Sequence, residues 1–228
     1  MKANSPDKGV LYIVPTPIGN LKDITLRSLE VLQSVDWIAC EDTRRTLKIA
    51  NTFHIQSHFI SYHEHTLYKN KEIIEKLNNG DSVALVSDAG MPLVADSGLE
   101  LMQDCRKEDI FVIVLPGASA VITALVYSGF SIQNFLYVNF LPRKKSKFLQ
   151  LLEKVKETGY TVCAFESPHR MVKSLTWMNE FDPSLQVCIC REMTKKNEEI
   201  VRGSPSYLLT LWQDREVRGE ISLVFRFE

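Results

Sequence analysis

The sequence predicts an α/β protein of two packed domains, an N-terminal one over residues 1–116 and a C-terminal one over 117–228, with mainly parallel sheets and a cleft between them. Three observations predict it. Short apolar runs at 11–14, 83–86 and 110–115 alternate with amphipathic helical stretches. Each run stops at a cluster of proline, glycine, small or acidic residues, the make-up of a loop at the carboxyl edge of a parallel sheet. The pattern halts at Pro116-Gly117 and restarts after Gly129 without a linker rich in Gly or Ser, and 228 residues suffice for two small cores.

Residues 11–14 suit a buried parallel strand, which ends at Pro15-Thr16-Pro17-Ile18-Gly19-Asn20, a loop stiffened by two prolines. Leu26, Leu29, Leu32 and Val35 then recur at helical spacing behind Thr25, a candidate cap. The unit lacks GxGxxG, and prolines cannot supply the backbone N–H groups that cradle a pyrophosphate, so a dinucleotide is not expected. Residues 35–40 read as the second strand and run into Glu41-Asp42-Thr43-Arg44-Arg45-Thr46. Acids followed by arginines suit a polar ligand, and equally a solvated helix start capped by Thr43. His54, His58, His63 and His65 cluster next, but their strand and loop spacings, the missing HExxH and the single nearby acid Glu64 argue against a metal site. A charged amphipathic helix over 69–78 turns Ile73, Ile74 and Leu77 inward and ends at Asn79-Gly80.

The run 83–86 ends in Ser87-Asp88-Ala89-Gly90-Met91-Pro92. Asp88 offers a carboxylate to a ribose hydroxyl or an amine, Ala89 and Gly90 remove bulk, and Pro92 fixes the exit; the same six residues also make an ordinary strand-to-helix turn. A helix at 99–106, a strand at 110–115 and the loop Pro116-Gly117-Ala118-Ser119-Ala120 follow. Residues 110–142 carry no charged side chain, yet Pro116-Gly117 and Ser128-Gly129 cut the stretch. A membrane span needs ~20 uninterrupted apolar residues, so the reading is a strand, a small-residue helix and a loop. Strands at 135–141, 160–165 and 186–190 then alternate with helices at 148–155 and 171–178. They end in Pro142-Arg143-Lys144-Lys145, Glu166-Ser167-Pro168-His169-Arg170 and Arg191-Glu192-Met193-Thr194-Lys195-Lys196. Residues 198–201, a helix at 205–212 and a strand at 220–227 are expected as antiparallel additions at the sheet edge.

Composition excludes some classes. With 45% hydrophobic and 24% charged residues and a net charge of -1, no global basic field advertises nucleic acid, so any RNA contact must be local. The five cysteines, Cys40, Cys105, Cys163, Cys188 and Cys190, have no CxxC or matching His spacing and read as buried thiols of a reducing cytosol. The first residues, around Lys2 and Lys8, lack the apolar core of a signal peptide.

Taken in order, the loop motifs quoted above, with Leu21 closing the first and Phe140-Leu141 opening the fifth, resemble the ribosomal RNA small-subunit methyltransferase I family over about residues 10–226. That family is a branch of the tetrapyrrole methylase superfamily. The resemblance implies the tetrapyrrole methylase fold, S-adenosylmethionine as cofactor in the cleft between the domains, a cytoplasmic homodimer, and methylation of a cytidine ribose 2′-hydroxyl in small-subunit RNA. Pro15, Ile18, Asp88, Ala89, Gly90, Met91, Ser119 and Ala120 match cofactor-contacting positions, with Phe165, Met193 and Ile221 as second-domain contacts. A sulfonium cofactor carries no phosphate, consistent with the missing glycine cradle. Arg44, Arg143, Lys144, His169, Arg170, Arg191, Lys195 and Lys196 would face the RNA, or form solvated surface. For a general base the loops offer Glu41, Asp42, Glu166, His169 and Glu192; the catalytic set chosen is Glu166 first, then Asp42 and Glu192, while Glu166 equally suits a structural pair with Arg170 or Arg191.

The chain departs from the family in Met91 for Thr, Asp96-Ser97 for Asp-Pro, Asn139 for Gly and Asn197 for Phe, and it ends at Glu228, short of the helical extension many members carry. Methyl transfer is therefore better founded than the acceptor. A tetrapyrrole-like small molecule, another RNA position, or a non-catalytic RNA-binding assembly role on the same fold stay open.

Overall fold

The computed structural model describes residues 9–63 and 67–227; residues 1–8 with Lys2 and Lys8, and Glu64 and His65 of the histidine cluster, lie outside the described residues. The chain divides into two compact units, Met1–Ser119 and Ala120–Glu228. In the first, strands β1 (Val10–Val14), β2 (Trp37–Cys40), β3 (His58–Ser61), β4 (Val83–Val86) and β5 (Phe111–Val114) form one sheet in the order β3-β2-β4-β1-β5. Every pairing is parallel. Helices α1 (Leu26–Ser34), α2 (Thr43–Phe53), α3 (Leu67–Asn78) and α4 (Leu99–Lys107) connect the strands.

Pleating sorts the side chains. Leu11, Ile13, Ala39, Ile60, Val83 and Leu85 meet Ile73, Leu77, Leu101 and Cys105 of α3 and α4 on one face. Val14, Ile38, Cys40, Ala84 and Val86 meet Leu32, Ile49 and Ala50 of α1 and α2 on the other. Covered on both faces, β4 is apolar and buried throughout, which is why it reads as a continuous run instead of an alternating one. Thr25 caps α1, its hydroxyl accepting the Ser28 N–H at 3.0 Å. The cap of α2 is Asp42, not Thr43: Asp42 keeps an extended backbone and its carboxylate accepts the Arg44 N–H at 2.9 Å, so Thr43 is already helical.

The second unit contains α5 (Ala120–Ser128), β6 (Phe135–Phe140), α6 (Lys145–Thr158), β7 (Thr161–Glu166), α7 (Pro168–Phe181), β8 (Gln186–Arg191), β9 (Glu199–Gly203), α8 (Pro205–Trp212) and β10 (Ile221–Arg226). Its sheet runs β6-β7-β10-β8-β9, and only the β6–β7 pairing is parallel. The expectation of mainly parallel strands thus holds in the first unit, and the second is mixed. Strand β10, expected at an edge, lies in the centre between β7 and β8; only β9 is an antiparallel edge strand. Its buried run Ile221, Ser222, Leu223, Val224 and Phe225 suits that place, because both faces are covered.

Val162, Ala164, Val187, Ile189, Ile221, Leu223 and Phe225 pack with α6, α7 and α8 around Phe148, Met171 and Trp212. On the opposite face the Cys163 and Cys190 thiols lie against the Val121 and Ala124 carbonyls of α5. The uncharged stretch 110–142 becomes β5, a loop, the short α5 and β6, and among the described residues no helix is long and apolar enough to cross a membrane. All five cysteines are buried.

Candidate functional site

Because the first sheet is parallel, the loops after β1, β2, β4 and β5 leave from one edge. Neighbouring β1 and β4 send the chain in opposite directions, β1 toward β2 and β4 toward β5, the arrangement that opens a crevice at the carboxyl ends. Thr16 and Gly90 form an isolated antiparallel bridge there, each N–H donating to the other's carbonyl at 2.9 Å. The buried Thr16 hydroxyl donates to the Ser87 carbonyl at 2.9 Å, and the buried Ser87 hydroxyl donates to the Gly90 carbonyl at 2.7 Å. Gly90 needs its left-handed φ of 87°, and a Cβ on it would sit 3.3 Å from Ile18 Cγ2. A Cβ on Gly117 would lie 2.8 Å from Pro15 Cβ. The expected positions Pro15, Ile18, Ala89, Gly90 and Met91 therefore stand on loops locked together, with the Gly117 turn packed on Pro15. Ser119 and Ala120 follow that turn, half-buried, at the boundary of the two units.

One partly exposed carboxylate belongs to this wall. Asp88 Oδ1 accepts the Asp42 N–H at 3.0 Å, and its Oδ2 lies 3.6 Å from Arg45 Nε. Asp42 is itself gripped by Arg44, whose Nε and Nη2 donate to its two oxygens at 3.0 and 2.9 Å. Those bonds, with the Arg44 backbone N–H, hold the Asp42 carboxyl down at about 2, a poor proton acceptor at neutral pH. One acid outside the expected set, Asp96, feels the charge of Asp88. It follows Leu93 and Ala95, both left-handed at φ 69° and 67°, and burial, reinforced by the charges of Glu41 and Asp88, pushes its carboxyl up to about 6. Its signal in the sequence was its place a few residues beyond Asp88 in the same loop.

A fit to S-adenosylmethionine can be tested on this donor set. Small side chains and close-packed backbone give a surface for a flat ring system, and the carboxylate of Asp88 suits ribose hydroxyls or an amine. No part of it demands a phosphate. The residues present fit the cofactor that the motifs imply.

In the second unit, register brings Glu166 and Arg191 to either side of Ile221. Strand parity turns Glu166 to the same face as Val162 and Ala164, toward α7. Its side chain is wholly inaccessible: Oε1 accepts the Ser167 N–H at 2.7 Å, Oε2 accepts the Ser174 hydroxyl at 2.6 Å, and Arg170 Nη1 stands 3.4 Å away. Glu166, first choice as proton acceptor, is thus buried and engaged by three partners at the turn into α7.

Glu192 is likewise occupied, accepting from Lys195 Nζ at 2.8 Å and the Glu220 N–H at 2.9 Å; burial would raise its pKa, but these partners bring it below the usual carboxylate value. Lys195 also reaches Glu220, and Arg191 donates to Glu199 and to the Arg218 carbonyl, so the expected phosphate contacts Arg191 and Lys195 are already neutralised. Arg170 donates to the carbonyls of Leu141 and Pro142 at 3.0–3.2 Å, fixing the loop after β6. Exposed Arg143, Lys144, His169 and Lys196 carry no ion pair or side-chain hydrogen bond among the described residues. Of the residues expected at the cofactor, Met193 and Ile221 are buried and Phe165 is half-buried.

The described members of the histidine cluster disperse. His54 caps α2 at φ 56°, the His58 ring lies 4.8 Å from Trp37, and His63 Nε2 is 3.1 Å from the Ser61 hydroxyl. Among the described residues no group of three His, Cys, Asp or Glu side chains could hold a metal.

Comparisons with known proteins give the chain's family and fold. The family model for tetrapyrrole (corrin/porphyrin) methylases matches residues 10–207. The chain is 44% identical over 219 residues to the ribosomal RNA small subunit methyltransferase I of Halalkalibacterium halodurans, covering 96% of this chain and 76% of that protein. It is 43% identical to the protein of that name from Bacillus subtilis, over 96% and 75% of the two chains, and 42% identical to that of Thermotoga maritima, over 95% and 97%. Among solved structures, a cobalt precorrin-4 methyltransferase superposes with a TM-score of 0.73 at 18% identity, covering 95% and 94% of the two chains. A diphthine synthase gives 0.74 at 15%, covering 96% and 90%. At such identities these two likenesses carry the fold alone.

Proposed function

Since the chain belongs to the ribosomal RNA small subunit methyltransferase I family of the tetrapyrrole methylases, we propose that it uses S-adenosylmethionine to methylate small-subunit ribosomal RNA, at the ribose 2′-hydroxyl of a cytidine. The observation that carries the cofactor assignment is the Thr16–Gly90 bridge, which locks the β1 and β4 loops into a surface of close-packed backbone and small side chains beside Asp88. When bound, the cofactor supplies a methyl group on a sulfonium sulfur, which an acceptor oxygen displaces in line. Backbone around Ile18 and Gly90 would bind its flat portion, and Asp88 would accept hydrogen bonds from its hydroxyls or amine.

The remaining work is positioning. Asp42, Glu166 and Glu192 are all engaged in internal bonds, so we assign them to holding the loops, and the acceptor's proton leaves to solvent or to a group of the RNA. Of the residues expected to face the RNA, Arg143, Lys144, His169 and Lys196 are available to phosphates, and Arg44, paired with Asp42, is the next. A homodimer and a cytoplasmic setting complete the proposal. The dimer is supported by large apolar side chains left open in each unit: Phe111 and Val114 on β5, 47% and 51% exposed, and Ile122 and Val126 on α5, 51% and 65% exposed. Sedimentation of the protein should give twice the monomer mass.

Calorimetry with S-adenosylmethionine tests the cofactor, and Asp88→Ala should weaken binding at least tenfold, or about 1.4 kcal/mol. Hypomethylated small subunits incubated with methyl-labelled cofactor should take label into a ribose. Label in a base would reject the 2′-hydroxyl, and absence of cofactor binding would reject the enzyme.

A further inference from the structure

The second unit displays an aromatic ring that its own packing does not require. Along β6 and β7, Tyr137 pairs with Cys163 and Phe140 with Phe165, three steps against two, so one residue bulges out. Asn139 absorbs the bulge with a left-handed φ of 56°. The shift places Phe140 where regular pleating would place Asn139, and leaves its side chain 59% exposed. Phe165 supports that ring from behind, centroids 5.8 Å apart at 62°, and Tyr137 supports Phe165 at 5.5 Å and 69°. The Arg170 fork on the Leu141 and Pro142 carbonyls holds the next two residues, so the ring stands on a fixed loop. Immediately beyond come Arg143, Lys144, Lys145 and Lys147 with no acid between them; Lys145 pairs with Glu180, and the other three have no ion-pair partner among the described residues.

An exposed aromatic ring beside uncompensated cations matches a ligand that offers a π-face and a phosphate together. We propose that Phe140 is a stacking platform for an unpaired base of the RNA, with Arg143, Lys144 and Lys147 on the adjoining phosphates. It positions substrate and takes no part in the chemistry. This rests on the RNA reading above and adds to it the residue that engages a base.

The test uses the full chain with a short single-stranded oligocytidylate, the same backbone without bases, and hypomethylated small subunits. Phe140→Ala is expected to weaken oligocytidylate binding and raise KM for the subunits roughly 5- to 150-fold, the range of one lost base–aromatic stack. It should leave kcat, S-adenosylmethionine affinity, sedimentation and binding of the baseless backbone unchanged. Phe140→Trp should restore binding, and its emission should be quenched as the base stacks. Three results would overturn the proposal: Phe140→Ala binding oligocytidylate as wild type does, an equal loss on the baseless backbone, or a change of oligomeric state. Wild-type protein that binds cofactor but neither binds nor methylates RNA would instead remove the reading on which the proposal stands, and the proposal with it.

Discussion

Asn139 shows how much one backbone angle explains. At φ 56° a β-carbon is crowded by the following carbonyl, and asparagine tolerates this better than any branched residue. The resemblance leads one to expect glycine there, and asparagine meets the same requirement. Asn139→Gly is expected to stay within about 1 kcal/mol of wild type in urea unfolding, whereas Asn139→Val should lose about 1–2 kcal/mol. Asp96 makes a second point at this scale. Its carboxyl titrates at about 6 in the folded chain against an ordinary 3.8, so the stability tied to its protonated form is complete below that ordinary value and is lost as pH rises through about 6. Asp96→Asn should therefore melt higher than wild type at neutral pH, by on the order of 1 kcal/mol after solvent screening of a partly exposed group, and the difference should vanish in melts run below about pH 4.

Single elements explain why the strand-end loops stay in place. Glu166 ends β7 on the face that packs against α7, and Ser174, two turns into that helix, takes its second oxygen. Glu166→Ala should cost about 3 kcal/mol by leaving buried donors unmatched, while Glu166→Gln should leave the pH profile of kcat unmoved, which a general base would not. Gly117→Ala should press on Pro15, losing about 1–3 kcal/mol and weakening cofactor affinity in calorimetry. Residues at the strand ends could be picked out because apolar runs stopping at Pro, Gly and Asp mark a sheet edge from composition alone. Which of them are free could not. Glu166 is held by Ser167, Arg170 and Ser174 within eight positions, Arg191 meets Glu199 across the β8–β9 pairing, and Glu192 and Lys195 reach Glu220, 28 and 25 positions away, so composition names the charges but not these pairings. The parity of Glu166 with Val162 and Ala164 was visible, and it pointed inward.

Over the whole molecule the parallel sheet of the first unit was legible apart from β3, because the other four strands are short, apolar and separated by helical periods, whereas the edge strand β3 reads His-Phe-Ile-Ser and carries no such run. The mixed sheet of the second was not, since nothing local tells a strand whether its neighbours run with or against it. The thiols offer a global check: Cys40, Cys105, Cys163, Cys188 and Cys190 are buried, with Cys105 and Cys163 pushed by burial to about 12. Native protein should leave Ellman's reagent unreacted until denaturant opens both units. The central place of β10 also sets an order in time. The first sheet has all its strands once Val114 has been made, but β7 and β8 must wait, each with an open edge, for the strand that will separate them. On the ribosome the first unit can close while the second is still being synthesised. The second can close only after Arg226 has left the exit tunnel, and until then two adhesive strands depend on chaperones or on speed.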